Sequence, residues 1–129
     1  MRNRQRATEI INAIADKIRR GDDGHAEANG HPRVSVTVKE LGWKRLRTEE
    51  LADTVTLANA VLHGAEGGRE YTIKRDKSRG VTTGFHLEAD NVERIKAFPA
   101  IAGRALPGIN EIADKLREAR TSQTASVGR

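Results

Sequence analysis

The chain contains no cysteine, which excludes disulfides, thiolate metal sites and cysteine nucleophiles at once. Aromatic residues are almost as scarce: one Trp, one Tyr and two Phe. The core must therefore be built from Ile, Leu, Val and Ala. No run approaches the ~18 apolar residues of a membrane span. The basic start Met1–Arg6 is followed by Glu9, Asp16 and Lys17, which excludes a signal-peptide core there. These absences lead to the expectation of a small cytoplasmic protein away from the membrane, and 129 residues is the size of one domain.

Positive charge is abundant, with net charge +5 and a pI near 10.0, and it is gathered into islands. Residues 1–20 hold six bases against Glu9 and Asp16, and Lys44, Arg45 and Arg47 crowd a short connector. Arg69, Lys74, Arg75, Lys77 and Arg79 stand against only Glu70 and Asp76. The stretch between, residues 48–68, has acids and no Lys or Arg. Separated basic islands are what several phosphate contacts along a duplex require.

Hydrophobic spacing supplies the elements. Ile10, Ile11, Ile14 and Ile18 predict one stripe of a helix capped by Thr8 and closed by Gly21. Residues 21–32 have loop composition, and Arg33–Val38 alternates as a half-buried strand. Thr37 and Glu40 have capping-box spacing, which predicts a short helix over Lys39–Trp43. Leu51, Val55, Ala58 and Leu62 mark a helix over Thr48–His63. Alternation in Tyr71–Ile73 and Val81–Leu87 around a charged turn at 75–80 predicts a β-hairpin within Arg69–Glu88. A short helix capped by Asp90 and ended by Pro99 follows, then a helix carrying Ile109, Ile112 and Leu116, and a disordered tail at 121–129. The segments Ile11–Arg19 and Ile109–Arg117 repeat the same stripe at nearly every position. Coincidence among common helix formers is one reading; two helices that pack against each other, or across a dimer, is the other.

Catalytic arrangements do not emerge. His25 and His31 share a loop with Asp22 and Asp23 but lack the tight spacing of a metal site. His63 and His86 have no partner that spacing can supply. Gly64, Gly67 and Gly68 lack the Lys and Thr of a phosphate-binding loop. The expectation is a protein that is not an enzyme and needs neither cofactor nor metal. Trp43 reads as a core residue with its N–H near the surface.

Helix, strand, short capped helix, longer helix and hairpin, carried by Thr8–Arg20, Val34–Val38, Val38–Trp43, Thr48–His63 and Glu70–Leu87, together resemble a winged-helix DNA-binding domain. The resemblance rests on element order over residues 8–88. It implies an α+β fold over residues 1–120 with a C-terminal helical extension, Thr48–His63 as recognition helix and the hairpin as wing. Glu49, Glu50 and Asp53 at the front of that helix would repel phosphate, so binding shifts to other groups. The candidate nucleic-acid contacts are Arg2, Arg4 and Arg6 as an N-terminal arm; Lys44, Arg45 and Arg47; Thr56 and Asn59; and Lys74, Arg75, Lys77 and Arg79 of the hairpin. The expected partner is double-stranded DNA, bound by a homodimer joined through the C-terminal helices, as in a transcription regulator or a plasmid or phage accessory factor. A protein adaptor or inhibitor docking on an acidic surface, and an RNA-binding protein, are the alternatives.

Overall fold

A computed structural model describes the backbone of residues 2–21, 26–28, 31–44 and 48–127, and side-chain surroundings at 3–21, 31–44 and 51–119. The fold is α+β. Helix α1 (Arg2–Arg19) leads into β1 (Ala26–Ala28) and β2 (His31–Thr37). Helix α2 (Thr48–His63) follows, then the hairpin β3 (Thr72–Ser78) and β4 (Val81–Glu88), and finally α3 (Val92–Ala105) and α4 (Ile109–Val127). The four strands form one antiparallel sheet in the order β1-β2-β4-β3.

Period-two alternation divides the sheet. Val34, Val36, Ile73, Phe85 and Leu87 are buried on one face against the helices. The α1 stripe (Ile10, Ile11, Ile14, Ile18) and the α2 residues Leu51, Ala58 and Leu62 complete this core. Each fully buried Ile or Leu contributes about 1.5–3 kcal/mol. The scarce aromatics all cluster here. Tyr71 meets Phe98 edge-on at 5.2 Å and Trp43 meets Phe85 at 5.7 Å. The Tyr71 hydroxyl donates to the Arg94 carbonyl at 2.7 Å, and burial raises its pKa above the ordinary phenol value.

The helix over Thr48–His63 begins and ends where its stripe and flanking residues place it. Other boundaries differ. Helix α1 starts at Arg2, so Thr8 lies inside it and its hydroxyl donates to the Arg4 carbonyl. Arg4 and Arg6 accordingly stand on a helix rather than an extended arm. Residues 26–28 and 31–32, expected as loop, are in strands. The capping box of Thr37 and Glu40 forms reciprocally, at 2.8 and 2.9 Å. It closes one turn and no helix, because Gly42 (φ 75°) ends it: Trp43 N–H donates to Val38 and Gly42 N–H to Lys39. The short helix expected over Lys39–Trp43 is therefore replaced by a doubly capped turn.

Pro99 does not end α3, which is capped by Asn91 rather than Asp90 and runs on to Ala105. Burial of Ile95, Phe98, Ile101, Ala102 and Ala105 outweighs the missing proline N–H. The backbone of α4 stays helical through Val127, so most of the expected tail continues the helix. The two echoed stripes share one chain's body. Ile11, Ile14 and Ile18 are buried, whereas Ile109, Ile112 and Leu116 are half-buried against the same core. Arg4 ties the two helices together through Asn110 (3.1 Å) and Asp114 (2.9 Å). Among the described residues, no helix is long and apolar enough to cross a membrane.

Candidate nucleic-acid interface

The hairpin has two unlike halves. Its base is held by α2: the Asn59 side chain donates to the Ile73 carbonyl (2.9 Å) and accepts from the Ile73 N–H (2.7 Å). One amide thus imitates a neighbouring strand on the open edge of β3. His63 Nε2 lies 2.8 Å from the Tyr71 carbonyl. On the far side Gly84 passes so close to β2 that a Cβ there would sit 2.4 Å from the Val36 carbonyl oxygen. Only glycine permits that approach.

Beyond Asp76 the register shifts by one residue, a bulge that leaves Thr83 as the extra residue on β4. Thr83 accepts from Val38 N–H at 2.9 Å, fastening the capped turn beside the far half of the hairpin. The turn itself is tighter than the sequence predicts. The strands run to Ser78 and Val81, and Arg79 (φ 53°) and Gly80 (φ 78°) form a two-residue loop with both residues left-handed. A non-glycine residue there carries about 1–2 kcal/mol of strain. Next to it Val81 is 63% exposed, the one large hydrophobic so exposed among the described residues.

The candidate residues consequently divide. Lys77 and Arg79 are exposed at the hairpin tip, and Lys44 is exposed just past the capped turn. No hydrogen bond or ion pair ties down these three within the described residues. Lys39, exposed on the same turn, joins them and was not a sequence candidate; the signal was its place one residue before the capping glutamate. Lys74 instead faces Glu88 at 3.2 Å, and Arg75 is half-buried. Arg4 is engaged by Asp114, and Arg6 lies 5.8 Å over the Trp43 ring, whose N–H donates to Glu9. Trp43 is half-buried, as a core residue with a surface-facing N–H should be. Thr56 is exposed and bonded to the Ala52 carbonyl. Asn59, a candidate reader, has its amide occupied by Ile73. The side chains of Arg2, Arg45 and Arg47 lie outside the described residues, as do those of His25, Asp22 and Asp23.

The outward sheet face holds a charged cluster that spacing did not reveal. His86, only 5% exposed, places Nδ1 2.6 Å from Asp76 Oδ1 and Nε2 2.9 Å from Glu88 Oε2. Glu88 also faces Lys74 and, at 3.8 Å, Arg33. Burial pushes the Glu88 carboxyl up, but the bonds from His86 and Lys74 outweigh it and leave the group below the usual carboxylate range. Glu88, two residues along the same strand face, is a partner the sequence reading missed although i+2 spacing on a strand was its signal. Asp76 was not, because only the bulge brings it into line. Both ring nitrogens are occupied, so His86 has no free nitrogen for acid–base work on a substrate. Among the described residues no cluster of three His, Cys, Asp or Glu is arranged to hold a metal ion. A shallow groove between α1 and α4 is lined by Arg4, Gln5, Thr8, Glu9, Ile109 and Asn110, with Arg4 already paired across it.

Compared with known proteins, the chain matches no family, no curated protein and no solved structure.

Proposed function

We propose that this chain binds double-stranded DNA through the tip of its hairpin and the adjoining capped turn, as a regulator or accessory factor of winged-helix type. The observation that carries this reading is the set of exposed cations Lys39, Lys44, Lys77 and Arg79, unpaired among the described residues, on two segments fastened side by side by the Val38–Thr83 bond. Lys74 is engaged by Glu88, Arg75 is half-buried and Arg4 is paired with Asp114, which leaves these four as the exposed, unengaged bases of the two segments among the described residues. The strand before α2 joins the hairpin in one sheet, which supports holding a recognition helix and a wing on one scaffold. Helix α2 contributes little to reading bases, since Asn59 is bonded to Ile73 and Asp53 stands in its second turn. Binding is anchored on phosphate, with the hairpin leading.

Fluorescence anisotropy with duplex DNA, single strands and structured RNA, each at two salt concentrations, tests it. Duplex should bind best, and Lys77→Ala with Arg79→Ala should reduce the salt slope by about two units, one per phosphate contact. Equal affinity of parent and double variant would remove the hairpin from the interface, and preference for RNA would replace the DNA reading.

A further inference from the structure

We propose that His86 is a positioning residue whose doubly protonated ring clasps the two strands of the hairpin together at its base and aims its tip. The inference rests on the hairpin tip as the DNA-binding element. A neutral imidazole owns one N–H, yet both ring nitrogens of His86 lie within hydrogen-bond reach of carboxylate oxygens, Asp76 at 2.6 Å and Glu88 at 2.9 Å. With both carboxylates ionised, both bonds exist together only for the imidazolium. Loss of either proton sets a nitrogen lone pair against a carboxylate oxygen, so one side of the clasp opens.

The two sides are unequal. Glu88 has Lys74 and Arg33 beside it, whereas His86 is the side-chain partner of Asp76. Asp76 is also the residue at the register shift. Its carbonyl accepts from Thr83, the bulged residue, at 3.3 Å. A bulge sets the direction of the strand beyond it. Everything past this one carries the tip: Lys77, Arg79 and Val81. Among the described residues the groups facing the ring are Lys74 and Asp76 from β3 and Glu88 from β4. Arg33 and Ser35 face it from β2, and Lys17 of α1 donates to the Ser35 carbonyl. The clasp therefore fixes Asp76 and, through it, the direction of the strand beyond the bulge.

Nitrogen-15 NMR of the whole chain reads the ring directly. Both nitrogens of His86 should carry protons in the closed hairpin, and amide exchange at Lys77–Thr83 should be faster in His86→Gln than in the parent. Duplex affinity of His86→Gln should fall about tenfold, the size of one charge-assisted hydrogen bond. Asp76→Asn, which keeps an acceptor and removes a charge, covers the case in which His86→Gln does not fold; it should also quicken that exchange and weaken binding. A ring carrying a single proton in the closed hairpin overturns the proposal, as does exchange unchanged in the variants. A chain that binds no duplex sinks the DNA reading alone, and the ring signals and amide exchange still decide the clasp.

Discussion

The base and the tip of one hairpin follow opposite rules. At the base, Asn59 covers the free edge of Ile73, Gly84 fits against Val36, and Lys74, Glu88, His86 and Asp76 interlock. At the tip, Arg79 is strained, Val81 is exposed, and Lys77 has no partner among the described residues. Local rules broken at adjacent positions mark the places where a chain gives up stability for a task. The base makes a stiff support and the tip is left available.

Adding a side chain at each half gives the widest contrast. Gly84→Val drives a Cβ into backbone and should cost about 3 kcal/mol or more. Gly80→Ala has open space around it and should cost only about 1 kcal/mol, from its left-handed backbone; denaturant midpoints measure both. Next, Asn59→Ala strands the Ile73 N–H and carbonyl and should cost about 2 kcal/mol, whereas exposed Thr56→Ala should stay within about 0.5 kcal/mol. Arg79→Gly inverts the usual sign. It relieves strain, should stabilise the chain by about 1 kcal/mol, and should weaken duplex binding; a variant both more stable and tighter-binding would show that the tip's strain serves nothing. The smallest effect is in acid. Glu40, lowered chiefly by its bonds to Lys17 and Thr37, and Glu88 both sit below the ordinary carboxylate range. Their contribution is complete above an unfolded value of about 4.3 and fades as pH falls through their lowered values. Glu88→Gln should flatten the acid limb of thermal melts slightly.

Much of the fold was legible in the sequence, because α2, the hairpin and the α1 stripe are set by local periodicity and capping. What was hidden depends on contacts distant in sequence. Pro99 stays inside α3 because of what its buried face touches, and Asp76 reaches His86 only through a bulge. The echoed stripes make the point most directly. Ile14 and Ile112 have nearly identical neighbours in sequence, yet one is buried and the other half-covered, since surroundings rather than spacing decide burial. At the site, the concentration of bases in the hairpin could be counted in advance. Which of them point freely outward could not, because Lys74 and Arg4 have partners far along the chain.

The pairing of β2 with β4 also orders the folding of the chain. The β3–β4 hairpin closes through two residues and needs only microseconds, whereas joining Thr37 to Gly84 closes a loop that contains all of α2. Loop length alone predicts an early local ribbon and a later docking of β2 onto it, an order that φ-value analysis would check. Gly84, at that seam, should slow refolding when replaced, and the Arg79–Gly80 turn should set how soon the ribbon is ready to receive its partner.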